Sequence, residues 1–283
     1  MENEGLQIRA MGRHELEPVL DWAALEGWNP GLHDAACFYQ ADPGGFLVGL
    51  RGDEPVASIF AVRYGTGFGF IGGYIVKPAW RGKGYGMALW QAGMARLTGR
   101  TIGLDGVLAQ QANYARSGFA LAHRNIRFEG RGCAHEPAGS MVVPLASLPV
   151  GEVLRYDQAF FADERSSFLR CWIGQAGSIA LGVGAAGRLL GYCVMRPCRQ
   201  GFKIGPLFAD TPELAEALLA DTLGRVPADV PVFLDVPEPN ADALALAARH
   251  QMQACFETAR MYTGPAPSMS LARQYGITTF ELG

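Results

Sequence analysis

Apolar residues recur along the chain with two different periods, and the switches between them outline a sequence of elements. Leu6–Arg9 reads as a short strand. Glu15–Leu25 places Leu16, Val19, Leu20, Ala23 and Ala24 at helical spacing. The breaker Glu26-Gly27-Trp28-Asn29-Pro30-Gly31 ends that helix, and Asp34–Gln40 predicts a second, shorter one. Three strands follow at Phe46–Arg51, Val56–Arg63 and Phe68–Val76. The turns Gly52-Asp53-Glu54-Pro55 and Gly65-Thr66-Gly67 between them suit an antiparallel meander. A glycine-rich turn, a helix to about Leu97, a strand at Thr101–Val107, a short helix near Asn113–Arg116 and a strand at Ala120–Phe128 complete the unit.

Gly130–Pro149 is rich in glycine, proline and small residues and reads as a loop and short strand leading to a linker. Beyond it the order repeats. Arg165–Ile173 is helical, and Ser178–Gly184, Leu189–Met195 and Phe202–Phe208 are strands. A helix capped by Thr211, with Pro212 at its first position, runs to about Leu223. Val232–Val236 is a buried strand, Asn240 caps a helix to about His250, and Ala254–Tyr262 is a final strand. The segment from Gly264 is expected to pack irregularly. Both halves share one order, which indicates a degenerate duplication: an α/β (α+β) protein of two units, 1–143 and 150–283, each a mixed, mostly antiparallel sheet flanked by helices.

Composition narrows the function class. A length of 283 residues fits one large or two medium domains, and 49% hydrophobic residues supply an ordinary core. The net charge of −3 argues against nucleic acid or an anionic membrane as partner. No apolar run approaches the roughly 20 residues of a membrane span, and the acidic, polar start Met1-Glu2-Asn3-Glu4 is unlike a secretory signal. The reading is of a soluble, cytoplasmic protein. The cysteines, Cys37, Cys133, Cys171, Cys193, Cys198 and Cys255, form no C-x-x-C pair, and the histidines are dispersed. No metal site is therefore expected, and the thiols read as reduced and mostly buried.

The segment that carries chemistry is Gly73-Tyr74-Ile75-Val76-Lys77-Pro78-Ala79-Trp80-Arg81-Gly82-Lys83-Gly84-Tyr85-Gly86-Met87. Pro78 withholds a ladder donor and ends the strand. Gly82, Gly84 and Gly86 let ligand oxygens approach the backbone. The helix that starts here presents unpaired N–H groups and the positive end of its dipole, a cradle for a diphosphate, with Arg81 and Lys83 adding charge. A Walker loop would need G-x-x-x-x-G-K-[ST], which is absent. A dinucleotide fingerprint would need a preceding parallel sheet rather than a meander.

Val76, Pro78, Arg81, Gly84 and Gly86 match V-x-P-x-x-[QR]-x-x-G-x-[GA], and the segment resembles motif A of the GNAT N-acetyltransferase superfamily. Tyr114-Ala115-Arg116-Ser117-Gly118-Phe119 also resembles that family's Y-x-x-x-G-F, whose tyrosine lies near the coenzyme sulfur. The strand order agrees over about residues 5–130. The second half resembles the degenerate C-terminal domain of tandem GNAT proteins: Ile204-Gly205-Pro206-Leu207-Phe208-Ala209-Asp210 stands at the motif position, but no R-x-x-G-x-G follows. The resemblance implies one coenzyme site, in the first half, and acetyl transfer from acetyl-CoA to a primary amine. Ile75, Val76, Lys77, Arg81, Gly82, Lys83, Gly84, Tyr85, Gly86 and Asn113 would hold the coenzyme.

The implied reaction makes physical demands. A lysine-like amine of pKa ~10.4 is neutral only about once in 2,500 at pH 7, so the site must take its proton or favour the neutral form. A backbone N–H at Ile75 or Val76 could meet the charge developing on the thioester oxygen. Tyr114 is the candidate acid for the departing thiolate, or an aromatic packed under the last strand. Asp105, near a strand end, is a candidate base or proton relay, or a turn cap; no Glu stands on Phe68–Val76. Asn113 either binds the coenzyme amides or caps its short helix. Trp28 and Asn29 in the breaker loop, Asp42 before a strand, and Asp235 and Glu238 at a strand end of the second half are candidates for holding a small-molecule amine, against packing, turn and cap roles. A monomer or homodimer, a protein N-acetyltransferase and a non-catalytic acyl-CoA sensor all remain compatible with the sequence.

Overall fold

The computed structural model describes residues 5–134 and 141–283. The Met1–Glu4 start and residues 135–140 of the expected linker lie outside the described residues. β1 (Leu6–Ala10) leads to α1 (Arg13–Leu25), whose first turn is closed by the Gly12 N–H donating to Glu15 Oε2 at 2.7 Å. α2 (Asp34–Ala41), the meander β2 (Phe46–Arg51), β3 (Glu54–Tyr64) and β4 (Phe68–Val76), then α3 (Tyr85–Arg96), β5 (Thr101–Val107), α4 (Gln111–Arg116) and β6 (Ala120–Arg131) complete the first half. The second half comprises β7 (Val142–Pro144), α5 (Val150–Asp157), α6 (Ser166–Trp172), β8 (Ile179–Ala185), β9 (Arg188–Pro197), β10 (Phe202–Ala209), α7 (Pro212–Gly224), β11 (Pro231–Pro237), α8 (Ala241–Arg249), β12 (Gln253–Tyr262) and β13 (Gln274–Gly276). Thr211 and Asn240 cap α7 and α8 as their positions predict, accepting from Leu214 and Ala243 N–H. The periodicity misses α5, and it misses β13 in the segment read as irregular.

All the strands join one sheet in the order β1-β2-β3-β4-β5-β12-β6-β11-β10-β9-β8-β7, with β13 paired to β10. Read inward from either edge, the order is the same: five strands of one half, then the last long strand of the other. β12 pairs β5 from Thr258↔Val107 to Tyr262↔Gly103, and β6 pairs β11 from Pro231↔Arg131 to Pro237↔Asn125. The expectation that Ala120–Phe128 closes its own unit is thus corrected: each half donates its final strand to the other. A strand pattern specifies which face is buried but not which edge the strand joins. Partner choice is set by side chains. Arg127 of β6 grips Asp235 of β11 at 2.6 and 2.8 Å, and Arg260 of β12 grips Asp105 of β5 at 2.9 and 2.5 Å.

Alternation along β3 sorts the core into layers. Phe60, Val62 and Tyr64 face a cluster that α1, α2, α5 and α6 share, so one core spans both halves. Ala57, Ile59 and Ala61 face α3 in a second cluster. α7 and α8 cover a third, in the second half. Fully burying a side chain such as Phe38 or Trp172 contributes about 1.5–3 kcal/mol, so the shared cluster binds the halves firmly. Within it Cys37 of α2 and Cys171 of α6 form a disulfide. This corrects the expectation of reduced thiols: a separation of 134 residues hides their adjacency. Cys133, Cys193, Cys198 and Cys255 are free. Among the described residues, no helix is long and apolar enough to cross a membrane.

Candidate active site

The first half contains a split in the sheet. β4 and β5 run parallel from Phe68↔Thr101 to Ile71↔Leu104 and then diverge. A bulge near Gly73, which has φ +50°, turns β4 away just beyond that point. The Val76 carbonyl faces the split, where Arg81 Nε donates to it at 2.8 Å, while Lys77 N–H bonds back to Val56 at 3.0 Å. Strand alternation therefore aims the Val76 N–H into the split as well.

The glycine turn closes one end. Gly82 and Gly84 adopt φ +76° and +81°, conformations that side chains strain. Ala88 is the first residue of α3 to bond back, to Gly84 at 3.1 Å, so the N–H groups of Tyr85, Gly86 and Met87 precede the helical ladder. At Gly86 a Cβ would come within 2.6 Å of the Tyr74 hydroxyl, so glycine is what lets the helix start against β4. This is a built anion cradle. Its charged neighbours are less simple than their sequence positions imply. Arg81 ion-pairs with Glu26 at the end of α1. Lys83 lies over Trp80, 4.6 Å from its ring centre. Lys77 turns toward Glu54, at 3.5 Å, and Trp22. The Tyr85 side chain is buried in the core under α3.

A cavity of about 840 Å³ extends from this cradle to the second half. Ile75, Val76, Arg81, Asp105, Asn113, Tyr114 and Trp28, all singled out in the sequence, are among its wall residues. Tyr114 packs on Gly106 and lies 5.6 Å from Trp90, which also contacts Tyr74. Burial, with Tyr74 close by, pushes the Tyr114 hydroxyl up to about 12. Asn113 bonds Gln110 and Arg116 and does not cap α4, where Gln110 takes the cap position. The Trp28 carbonyl accepts from Arg127 at 2.9 Å and Lys203 at 3.3 Å.

Other candidates are placed elsewhere or already committed. Asp105 borders the cavity, yet Arg260 holds both its oxygens and Asn125 donates to it at 2.8 Å. Burial raises this carboxyl and Arg260 opposes the rise. Asp235 has the same clasp with Arg127, so in each half the clasp joins an exchanged strand to its neighbour. Arg127 holds the Asp235 carboxyl below its ordinary value despite burial. Asp42 is bound by Arg96 at 2.7 and 2.8 Å. The Asn29 amide is docked on Gln200 at 2.9 and 3.0 Å. Glu238 is exposed at the end of β11. The walls that sequence reasoning missed include Tyr74, Trp90, Phe256, Phe280 and Glu281. Phe256 follows from an aromatic on β12 only once that strand is known to sit beside β5, and Phe280 and Glu281 lie in the segment read as irregular.

The second half has the equivalent split between β10 and β11, parallel only from Phe202↔Val232 to Ile204↔Leu234. There β13 fills the gap, pairing Gly276 with Leu207, and the Ile277 N–H donates to Asp235 O at 2.8 Å.

A split parallel pair, built twice but kept open beside a glycine cradle only once, defines a tandem acyltransferase architecture. Residues 13–119 match the acetyltransferase (GNAT) family and residues 153–276 an acetyltransferase (GNAT) domain. The chain belongs to the GNAT superfamily of acyl-transferring enzymes, as a tandem member. It is 29% identical over 269 residues to the holothin acyltransferase of Pseudoalteromonas sp. (strain SANK 73390), covering 95% of this chain and 92% of that protein. Its fold is similar to a putative acetyltransferase from Pyrococcus horikoshii, at TM-score 0.82 and 24% identity over 100% of this chain and 98% of the other. It also resembles a tandem GNAT protein from the clavulanic acid biosynthesis pathway, at TM-score 0.60 and 17% identity over 92% and 99% of the two chains.

Proposed function

We propose that the protein is an N-acetyltransferase that uses acetyl-CoA to acetylate a primary amine on a small molecule. The observation that carries this reading is one cavity joining the Val76 edge, Arg81 and Met87 at the two ends of the cradle, and Tyr114 to an aromatic wall from the second half. The unladdered N–H groups of α3 and the left-handed glycines before it fit a diphosphate, and the split in the sheet fits an extended thiol arm. When bound, the coenzyme supplies the acyl group as a thioester. The chain's own residues do the rest. The Val76 N–H is fixed by the strand and costs no reorganisation when it meets a developing oxyanion. Tyr114 stays protonated across the neutral range and donates to sulfur. Trp28, Phe256 and Phe280 enclose an acceptor of small-molecule size and exclude water. The first half thus carries the chemistry and the second half walls the acceptor. The likeness to a holothin acyltransferase supports acyl transfer as the reaction.

Replacing Tyr114 with Phe tests the reading. Thiol release from acetyl-CoA with a panel of amines should fall about 100-fold, while coenzyme affinity by calorimetry stays within about twofold. Tight coenzyme binding with no thiol release from the wild type, whichever amine is offered, defeats it.

A further inference from the structure

The seam between the halves buries several carboxylates, and all but one of them are held in a direct ion pair. Asp105 is held by Arg260, Asp235 by Arg127, Asp157 by Arg165 and Asp34 by Arg196, at 2.5–2.8 Å. Glu281 is 4% exposed and has no ion-pair partner among the described residues. Arg127, Arg196 and Lys203 lie close enough to feel its charge. Two of them are committed to aspartates, and Lys203 donates to the Trp28 carbonyl. The Thr279 hydroxyl donates to Glu281 Oε2. No hydrogen bond from the described residues reaches Oε1.

Glu281 is also a wall residue of the cavity, between Phe280 and the free edge of β4. Gly72 makes that position available, since a Cβ there would overlap the Glu281 carbonyl oxygen. The segment from Gln274 to Gly283 is buried throughout. It is anchored by Ile277 N–H on β11 and by the Tyr64 hydroxyl on the Leu282 carbonyl at 3.1 Å. The Glu281 main chain is thus held on a rigid support against the β4 strand that also carries the Val76 N–H, and the residue lines the cavity there. Arg127, Arg196 and Lys203 offset the cost of burying this carboxylate without ion-pairing to it directly, and Oε1 is left without a hydrogen-bond donor of the described residues.

We propose that Glu281 binds the ammonium form of the acceptor and accepts its proton. This rests on the N-acyl transfer reading given above. Glu281 Oε1 first takes one proton from the ammonium and frees the nitrogen lone pair. As the neutral amine then bonds to the thioester carbonyl carbon and the carbon–sulfur bond breaks, the Tyr114 hydroxyl protonates the sulfur. The second proton on nitrogen restores the Tyr114 phenol and leaves a neutral amide, and Glu281 later releases its proton to solvent. The charged groups facing Glu281 are Arg127 from β6, Arg196 from β9 and Lys203 from β10, with Asp235 of β11 behind Arg127. All four are buried, which shields the carboxylate from bulk water.

The test compares wild type and Glu281→Gln with an aliphatic primary amine and acetyl-CoA, following thiol release from pH 6.5 to 10. At pH 7 the variant should be about 100-fold slower. Its rate should then rise about tenfold per pH unit toward the amine pKa, as bulk water supplies the neutral amine, while the wild-type profile is flatter. Equal rates at pH 7 overturn the proposal. A uniform drop with an unchanged profile overturns it too, because that is the mark of a merely structural residue. Coenzyme affinity within about twofold of wild type is expected; its loss assigns Glu281 to the fold and also overturns the proposal. A wild type that releases no thiol with any amine defeats the acyl-transfer reading itself, whereas a working wild type matched by Glu281→Gln defeats only the Glu281 assignment.

Discussion

Arg260 of β12 sits opposite His123 of β6 in the ladder. Burial first, and then the Arg260 charge, lower the His123 imidazole to about 4. The folded protein therefore keeps this ring neutral at pH values where the unfolded chain, with a pKa near 6.5, has begun to take up a proton. The stabilisation is complete above about pH 6.5 and is lost as pH falls toward 4, up to about 3 kcal/mol. Urea unfolding at pH 7 and pH 4.5 should show that loss, and His123→Gln should flatten it; equal slopes for the two proteins would place the acid sensitivity in other groups. Residue roles were unevenly legible in the sequence. Gly82, Gly84 and Gly86 announce themselves because backbone permissiveness is local. Asp105 and Asp235 read as free carboxylates because their arginines are 155 and 108 positions away, and no local pattern records a partner at that distance.

Most elements were readable within a residue or two, since periodicity reports the buried face directly. Besides α5, three features were not. β13 is three residues long, too short for a period, and becomes a strand only because the gap beside β10 receives it. The exchange of β6 and β12 depends on which edge each strand meets. The Cys37–Cys171 link depends on α2 packing against α6. That link has a measurable consequence. Denatured, unreduced protein should titrate four thiols and reduced protein six. By the chain-entropy argument, closing so long a loop contributes about 5 kcal/mol, so Cys171→Ser should lower the unfolding midpoint clearly. Six reactive thiols before reduction would show that the helices pack without the link.

The whole molecule reads as one arrangement built twice, with the split kept open in the first half and filled in the second. The open split of the first half faces the cavity, whereas β13 occupies the second. Calorimetry should accordingly find one coenzyme per chain, and two equal sites would mean that β13 yields to ligand. The strand exchange also bears on how such a protein can change over generations. A half inherited alone would expose the edge of β5 or of β11 with an aspartate stripped of its arginine, so neither copy is a transferable module. Divergence can freely alter the loops and the aromatic wall, but the two copies must be gained, lost and reshuffled together.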